Sequence, residues 1–466
     1  MACGPTAPSH RRRPTVHETR RLAQFVANTQ FAHLPHRLVE DIKITVLDTF
    51  GAAFVGTAQP WARQIIAMIQ ELGGRPEATV IHHAWQTDIA RAAMANGALI
   101  GAFECEPLTG SHASGTVLPA VLAVCQRERL PGSAFLTALA VGFEVSARIA
   151  RAAVGLETTR GFHNPGTQGP FGAAAAVGKL YGFDEDTLVS ALGIAGSCSA
   201  GLLEFAWSGA DTKRIHLGRA SQLGIESALL ARKGLRGPAT VLEGRYGYYN
   251  AFSLPPRLDR LLEGLGERWA IQPPSLKSYP THVTHQAVVQ AIQELKQAHP
   301  FDPRAITRLV IRGDPHIMDE RHAVRQPETV MGGQYSLPFT AAVALTRDLS
   351  NPLAYNDETV WDPVVRELAL RVELVPEEGS GHAEPGVYQA EVRIECGGQT
   401  YTLATKPHKG SPHDPFTWED VCDKFRRFTE PIISPRQAEA IVEAVAALEQ
   451  VADMAEIARL LAWMPT

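Results

Sequence analysis

Apolar residues recur at helical spacing through the first half of the chain. Leu38, Ile42, Val46 and Phe50 stand four residues apart, so they share one face of a helix. The segments that follow are rich in alanine, glycine and leucine and lack the polar–apolar alternation that is typical of strands. This pattern predicts a tightly packed, all-helical region. Its helices are predicted at residues 18–56, 61–72, 88–103, 118–125, 134–154, 169–180, 186–205 and 215–233.

The pattern changes after Pro273-Pro274. Short segments in which polar and apolar residues alternate now predict strands, mostly antiparallel, and two of them flank Cys396-Gly-Gly398, a sequence that favours a hairpin. Strands are predicted at residues 306–312, 370–375, 387–395 and 400–405, with a polar loop at 377–385. Helices are predicted at residues 284–299, 334–345, 362–368, 418–428 and 435–460.

This order of elements predicts a mainly α fold in which a smaller α+β domain is inserted into the helical one. Residues 15–270 and 408–466 form the predicted all-helical domain, and residues 271–407 form the predicted α+β domain. Residues 1–14 contain three consecutive arginines without an apolar segment behind them, so they are predicted to be a disordered tail and not a signal peptide. No run of uncharged apolar residues reaches the ~18 residues that a membrane span needs.

Composition narrows the function classes. The 466-residue chain is 45% hydrophobic and 20% charged, which is ordinary for a globular protein. Its net charge of -5 favours neither nucleic acid nor an anionic membrane as a partner. The six cysteines are scattered and form no C-x-x-C pair, which is typical of a reducing compartment and unlike a structural zinc site or an iron–sulfur cluster. We therefore expect a cytoplasmic protein that binds neither nucleic acid nor membranes.

A basic segment precedes the helix predicted at 215–233. Lys213, Arg214 and His216 fall within four residues, and Thr212 is a candidate N-cap just before them. If the helix begins there, its first turn presents two fixed cations, a titratable imidazole and free backbone N–H groups. Such a turn favours a small carboxylate, with phosphate as the competing ligand. The alternative is a solvated basic turn on the surface.

Two further polar segments interrupt the apolar pattern of the helical region. Glu104 and Glu106 precede Ser111-His112, so two carboxylates and an imidazole lie close enough in sequence to share an active site. His163 stands just before a predicted helix, where the helix N-terminus favours contact with an anion. The alternative for both histidines is an exposed loop position.

The segment between the two predicted domains carries Lys277, His282 and His285. The His-x-x-His spacing could hold a metal, but it lacks the glutamate of the H-E-x-x-H zinc motif, so we predict no metal there. Gln334 and Tyr335 begin a predicted helix further along the chain. Tyr335 is either an acid or hydrogen-bond donor, or a core aromatic residue.

Several other enzyme classes lack their motifs in this sequence. It contains no G-x-S-x-G, no P-loop and no G-x-G-x-x-G after a strand, which disfavours serine hydrolysis, phosphoryl transfer and hydride transfer. The remaining set of His, Lys, Arg, Tyr and Glu suits proton transfer at a carbon next to a carboxylate. Lysine and arginine would hold carboxylates and stabilise the developing enediolate, while a histidine moves the proton.

At these same positions the chain resembles the MmgE/PrpD family, over about residues 15–460. The strongest match is Thr212-Lys-Arg-Ile-His-Leu-Gly-Arg-Ala220. The supporting matches are Ser111-His-Ala-Ser-Gly115 with Leu118-Pro119, Phe162-His163, residues 277–285 and Gln334-Tyr-Ser-Leu-Pro338. The family includes 2-methylcitrate dehydratase, cis-aconitate decarboxylase and iminodisuccinate epimerase. The resemblance implies a large helical domain, a smaller α+β lid domain, a homodimer and a cofactor-free active site between the domains.

One departure from the family pattern lies before the loop histidine. The family usually has an acidic run that ends in two aspartates, where this chain has Glu104-Cys105-Glu106-Pro107. Glutamate reaches about one methylene further, and a shift on the order of 1 Å can cost ~100-fold in rate. The departure therefore makes the 2-methylcitrate substrate less favoured. By motif position, the resemblance implies active-site residues His112, His163, Lys213, Lys277 and Tyr335, with Arg214, His216 and His282 as binding neighbours.

We predict a metal-independent and cofactor-independent lyase that acts on a small di- or tricarboxylate, with dehydration as the first expectation. Decarboxylation and epimerisation need much the same groups and remain alternatives. A carboxylate-binding paralogue without turnover and a histidine-rich metalloprotein are the alternatives from other classes. The predicted catalytic residues are Glu104, His112, His163, Lys213, Lys277 and Tyr335. The predicted substrate-binding residues are Glu106, Arg214, His216, His282 and Gln334.

Overall fold

The computed structural model describes residues 17–156, 160–271, 273–377 and 388–463. The predicted tail and most of the polar loop predicted at 377–385 lie outside the described residues. Within them the chain is mainly α-helical, as the sequence predicted. The helices are α1 (Glu18–Asn28), α2 (His36–Thr57), α3 (Pro60–Leu72), α4 (Ile89–Ile100), α5 (Ala113–Glu128), α6 (Gly132–Ala152), α7 (Asn164–Leu180), α8 (Glu185–Ser197), α9 (Phe205–Ser208), α10 (Lys213–Arg232), α11 (Tyr248–Phe252), α12 (Leu258–Leu262), α13 (Gln286–Ala298), α14 (Val330–Tyr335), α15 (Leu337–Thr346), α16 (Asp357–Trp361), α17 (Pro363–Leu370), α18 (Trp418–Thr429), α19 (Pro435–Ala446) and α20 (Ala455–Leu461).

Glycines let the central helices approach closely. A Cβ at Gly218 of α10 would lie 2.1 Å from the carbonyl oxygen of Met94 in α4, and one at Gly224 would lie 2.2 Å from the Cβ of Ala173 in α7. Larger residues would therefore force these helices apart. The small-residue composition explains how α4, α7 and α10 pack backbone to backbone, which places the N-termini of α7 and α10 near each other.

Four predicted helices are interrupted in the structure. The segment 18–56 breaks before Pro35, the segment 186–205 ends at Ser197, and the segment 435–460 breaks after Ala446. The segment 334–345 breaks at Ser336, whose hydroxyl accepts a hydrogen bond from the Phe339 amide at 3.0 Å and caps α15. Periodicity alone missed these breaks, because the apolar spacing continues across each of them.

The strands are β1 (Ala78–Thr79), β2 (Gln86–Thr87), β3 (Ile306–Gly313), β4 (Val372–Pro376), β5 (Ala390–Cys396) and β6 (Gln399–Ala404). The main sheet has four of these strands in the order β4–β3–β5–β6. The β3–β5 and β5–β6 pairs are antiparallel, as predicted, but β3 and β4 are parallel. Gly397 and Gly398 form the turn of the β5–β6 hairpin with φ of 58° and 79°, so the hairpin prediction is confirmed. A two-stranded pair, β1 with β2, was not predicted.

The C-terminal helices return to the N-terminal ones. Lys424 of α18 lies 2.6 Å from Asp48 of α2, and both side chains are buried. The division into a helical domain and an inserted lid stays a prediction. Helix α6 is long and apolar enough to cross a membrane by length and composition, but 83% of its apolar window is buried inside the fold, as in a core helix. The cytoplasmic location also stays a prediction.

Candidate active site

The predicted site residues come from the ends of several helices and from two loops that the fold brings together. Leu108 and Ser275 exchange backbone hydrogen bonds of 2.7 and 2.8 Å, which joins the loop after α4 to the loop before α13. The hydroxyl of Ser114 donates to the carbonyl of Pro107 at 2.7 Å and anchors the first loop on α5. The departure from the family pattern at Pro107 is therefore held in a defined conformation.

Glu104 lies between two lysines, in what we call the carboxylate–lysine cluster (Glu104, Glu106, Lys213, Lys277 and Arg214). One oxygen of Glu104 contacts the Lys213 ammonium, and the other lies 3.0 Å from the Lys277 ammonium. All three side chains are buried. Burial lowers the pKa of both lysines, and for Lys213 the neighbouring charges of Lys277 and Arg214 lower it further. Glu104 also has a positive φ of 57°, a conformation that is costly for a non-glycine residue and is concentrated at functional sites.

The first turn of α10 carries the predicted cations, but Thr212 does not cap it, and the alternative of a solvated basic turn on the surface is wrong. Anion binding at this turn stays a prediction. The helix begins at Lys213, but Thr212 has helical φ and ψ angles and its side chain makes no capping hydrogen bond. Lys213 and Arg214 are buried and not solvated, and Glu104 already contacts Lys213. The basic segment therefore points into the protein, where a substrate carboxylate would have to share the lysines with Glu104.

Glu106 and His112 form a hydrogen-bonded pair. Nδ1 of His112 lies 2.8 Å from Oε1 of Glu106, and the other Glu106 oxygen lies 3.8 Å from the Lys277 ammonium. Burial alone would raise the pKa of Glu106, but the Lys277 charge and the His112 hydrogen bond outweigh it and lower that pKa to about 2. Ionised Glu106 can only accept, so Nδ1 of His112 carries the proton and Nε2 is left for proton transfer. The His112 side chain keeps 21% of its surface exposed, while Glu106 is fully buried.

His163 and His216 form a second pair of side chains, the imidazole pair, next to Glu106 and His112. Their Nδ1 atoms lie 2.8 Å apart, so one ring donates and the other accepts. Burial, together with the neighbouring His112 and His216, lowers the pKa of His163 well below its usual value, and burial and Lys213 lower the pKa of His216 to about 4. Both rings are therefore neutral at pH 7. The ring centroids of His112 and His163 are 6.0 Å apart, which connects the two pairs.

Tyr335 lies beside Lys213 in the site. The Lys213 ammonium lies 5.3 Å from the centroid of the Tyr335 ring, within the range of a cation–π contact. The ring of Phe205 packs edge-on against Tyr335 at 5.9 Å and against His163 at 4.9 Å. The ring of His282 lies 4.9 Å from that of Tyr335. Phe205 was not predicted, because an aromatic residue at a helix end carries no local functional signal.

The side chains of Gln334 and Arg214 are occupied by protein partners. The Gln334 amide donates to the carbonyls of Phe103 at 3.1 Å and Pro280 at 3.0 Å, and its oxygen accepts from Arg214 at 3.0 Å. Arg214 also stacks over the ring of Trp61 at 4.8 Å, and burial lowers its pKa to about 10. These contacts tie two site loops and α14 to α10. Direct substrate contact by either residue stays a prediction.

A second group of histidines lies behind Tyr335. Ring nitrogens of His282, His285 and His322 lie within 4.8 Å of one another, a set that could hold a transition metal by donor type. Their Nδ1 atoms lie 2.8 to 3.2 Å from oxygens of Thr284, Thr281 and Tyr335 respectively. Burial lowers the pKa of all three rings. Sequence reasoning missed His322, which lies 37 residues beyond His285 without a motif. That these histidines bind no metal stays a prediction.

A cavity of about 200 Å³ opens beside the imidazole pair. His216 and Arg219 supply its polar lining, and the first turns of α7 form one wall through Gly166 and Pro170. The cavity therefore reaches the imidazole pair through His216. Its size suits a small acid rather than a macromolecule.

Comparison with known proteins agrees with the motif resemblance. The MmgE/PrpD N-terminal domain matches residues 20–261, and the MmgE/PrpD C-terminal domain matches residues 279–450. The chain is 25% identical to the cis-aconitate decarboxylase-like protein oryM of Aspergillus oryzae, covering 96% of this chain and 98% of that protein. It is 25% identical to cis-aconitate decarboxylase of Aspergillus terreus (95% of each chain) and 27% identical to that of Homo sapiens (95% and 94%). The chain belongs to the MmgE/PrpD family.

Proposed function

We propose that the protein is a lyase that decarboxylates a small unsaturated tricarboxylate of the cis-aconitate type without a cofactor. Relatives that match almost the whole chain are named cis-aconitate decarboxylases, which favours this reaction over the dehydration that the sequence first suggested. The single observation that carries the proposal is the pairing of Glu106 with His112 beside Glu104, Lys213 and Lys277. A proton donor and two cations thereby share one buried site.

The carboxylate–lysine cluster supplies the binding charge. Lys213 and Lys277 contact Glu104, Lys277 also lies 3.8 Å from Glu106, and Arg214 is buried beside them, so basic side chains outnumber the carboxylates in this cluster. In a buried site this excess attracts an anionic substrate more strongly than it would in water. A substrate carboxylate that shares the lysines with Glu104 would be held next to His112.

Decarboxylation requires the site to stabilise one developing carbanion and to supply one proton. The bond between the leaving carboxylate carbon and the chain breaks and releases CO2, and its electron pair forms a new carbon–carbon double bond. The electrons of the original double bond move to the carbon next to another carboxylate, and that carbon takes a proton. Lys213 and Lys277 stabilise the enediolate that develops on this carboxylate. One CO2 leaves and one proton enters, so the product is a dicarboxylate.

His112 delivers the proton in this mechanism. Ionised Glu106 holds Nδ1–H, which orients the ring and compensates the charge of the imidazolium, so Nε2–H can be transferred to the substrate carbon. His163 and Tyr335 line the same space and act as secondary donors that orient the substrate. The neutral His163–His216 pair adds no positive charge, so it does not compete with the lysines.

The test is an assay of purified protein with cis-aconitate and a panel of di- and tricarboxylates, with and without a chelator. We expect CO2 release from an unsaturated tricarboxylate, and we expect it to persist in the chelator. Release of water instead would support dehydration, and exchange of the proton next to a carboxylate alone would support epimerisation. Tight binding by calorimetry without any product would identify a carboxylate-binding paralogue and overturn the proposed activity.

Loss of activity in the chelator, restored by a metal ion, would contradict the cofactor-free reading. It would also support the histidine-rich alternative, because His282, His285 and His322 offer the ligand atoms. A homodimer and a site between two domains belong to the same proposal, and light scattering of the active protein tests the dimer.

A further inference from the structure

His322 contacts Tyr335 in two separate ways. Its Nδ1 lies 2.8 Å from the carbonyl oxygen of Tyr335, and its ring lies nearly parallel to the Tyr335 ring, at 16° and a centroid distance of 6.0 Å. The His322 side chain is fully buried. We infer that His322 is a positioning residue that holds Tyr335 toward Lys213 and the substrate. This inference rests on the proposed function, because it assumes that Tyr335 orients the substrate.

The carbonyl contact fixes the protonation of the His322 ring. A carbonyl oxygen can only accept, so Nδ1 carries the proton and Nε2 does not in the neutral ring. Burial disfavours the charged ring and lowers the pKa of His322. Among the described residues, Nε2 has no hydrogen-bond partner. The neutral His322 ring therefore has one donor group, Nδ1–H, and the nearest acceptor of that group is the Tyr335 carbonyl oxygen.

His285 links His322, through Thr281, to Gln334, the residue that precedes Tyr335. Its Nε2 lies 3.2 Å from Nδ1 of His322, and its Nδ1 lies 3.2 Å from the hydroxyl of Thr281. The single Nδ1–H of His322 is shared between two acceptors, the Tyr335 carbonyl at the shorter distance and Nε2 of His285 at the longer one. Because Nε2 of His285 accepts, its Nδ1 carries the proton and donates to Thr281. The Thr281 hydroxyl donates in turn to the carbonyl of Gln334 at 3.0 Å. The carbonyls of Gln334 and Tyr335 are thus held by one directed chain of hydrogen bonds.

This chain determines what Tyr335 faces. The Tyr335 ring is bounded by His322 and His282 on one side, and the Lys213 ammonium and the ring of Phe205 lie within 6 Å of its centroid. Loss of the His322 donor frees the Tyr335 carbonyl, and loss of the His322 ring opens space beside the Tyr335 ring. A displacement on the order of 1 Å at a substrate-orienting group costs up to ~100-fold in rate.

Two substitutions separate the donor from the ring. His322→Phe keeps an aromatic ring but removes the Nδ1 donor, whereas His322→Asn keeps an amide donor near Nδ1 but removes the ring. We expect His322→Phe to lower kcat about 10- to 100-fold with KM changed less than about threefold, and we expect His322→Asn to recover part of that loss. The matched control is His82→Asn, because His82 also has an unpartnered ring nitrogen but packs against Phe54.

A second measurement does not depend on activity. Nitrogen-15 NMR of the histidine-labelled protein, with the His322 signal assigned by its loss in His322→Asn, should show the Nδ1–H neutral tautomer at pH 8. An Nε2–H tautomer overturns the inference, whether or not the enzyme turns over any acid. So does a His322→Phe kcat within twofold of the wild type. If the wild-type protein converts no acid in the panel, the proposed function fails, and the tautomer still decides whether His322 donates to Tyr335.

Discussion

Two buried charge clusters in the helical region are built in opposite ways. In the first, Arg148 of α6 lies 2.5 Å from Glu144, and the free oxygen of Glu144 accepts from the Ala270 amide at 2.7 Å. The Arg148 guanidinium also donates to four carbonyls at 2.8 to 3.3 Å, those of Leu261, Glu263, Gly264 and Arg268. Both charged groups of this Arg148 cluster are therefore matched by protein partners.

The carboxylate–lysine cluster places like charges side by side. Lys213, Lys277 and Arg214 lie near one another, and Oε2 of Glu106 has no hydrogen-bond partner among the described residues. A saturated cluster has no capacity for a further ligand, so the Arg148 cluster is structural. An unsaturated cluster of buried charges is costly without a ligand and gains from binding one. The difference separates a stabilising ion pair from a binding site with the same residue types.

Breaking the Arg148 cluster should have the largest effect. Arg148→Met leaves Glu144 buried without its cation, so we expect the free energy of unfolding to fall by about 3–5 kcal/mol. Activity per folded molecule should stay unchanged, because neither residue belongs to the site. Urea denaturation checks the first expectation. Arg257→Met, which breaks an exposed pair with Asp259, should leave the free energy of unfolding nearly unchanged, and an equal loss in both variants would contradict this interpretation.

Breaking the carboxylate–lysine cluster should mainly affect activity. Lys213→Ala removes one of two cations from Glu104, but Lys277 remains 3.0 Å away, so the fold should be retained. We expect kcat/KM to fall on the order of 10³-fold, because a cation that stabilises the enediolate is lost. The control is Lys43→Ala, since Lys43 is a buried lysine paired with Glu449 outside the site. Normal turnover in Lys213→Ala would refute the binding role of this lysine.

Removing the imidazole of His112 should have a smaller effect on the rate. His112→Ala deletes the proposed proton donor, so we expect kcat to fall about 10²-fold, at the lower end of what general acid–base groups contribute. The side chain is partly exposed, so the fold should tolerate the change. Circular dichroism and turnover of the same preparation test both statements. A kcat within threefold of the wild type would show that another group delivers the proton.

The smallest expected effect is on the pH dependence of stability. The pKa of His216 is about 4 in the folded protein and near 6.5 when the chain is unfolded. Between these values the unfolded chain binds more protons, so stability rises with pH from about 4 to 6.5, and the buried His163 adds to the same slope. His216→Gln should reduce this slope by up to about 1.4 kcal/mol per pH unit. An unchanged slope would show that His216 titrates normally in the fold.

The helical pattern of the chain could be predicted from the sequence, because apolar periodicity is a local property. Leu38, Ile42, Val46 and Phe50 do lie together in α2. The breaks at Ser336 and after Ala446 were missed, since capping and tertiary packing end a helix whose apolar spacing continues.

The site residues could be named from motifs, but their electrostatic partners could not. Glu104 contacts the two lysines that were predicted to bind a substrate. This pairing depends on burial and on contact between distant segments, neither of which a sequence motif shows. His322 carries no local signal, because its importance comes from two contacts with Tyr335 across the fold. Sequence patterns predict which residue types are present, whereas tertiary contacts decide which charges are already satisfied.

The most direct test of the central claim is proton NMR of cis-aconitate with the wild-type protein in deuterated water. The carboxylate–lysine cluster and His112 should convert it to a dicarboxylate that carries one solvent deuterium at the carbon next to a carboxylate. Lys213→Ala should give almost none of this product in the same time. A wild-type sample that leaves every acid of the panel unchanged, with no solvent deuterium in any of them, would contradict the account.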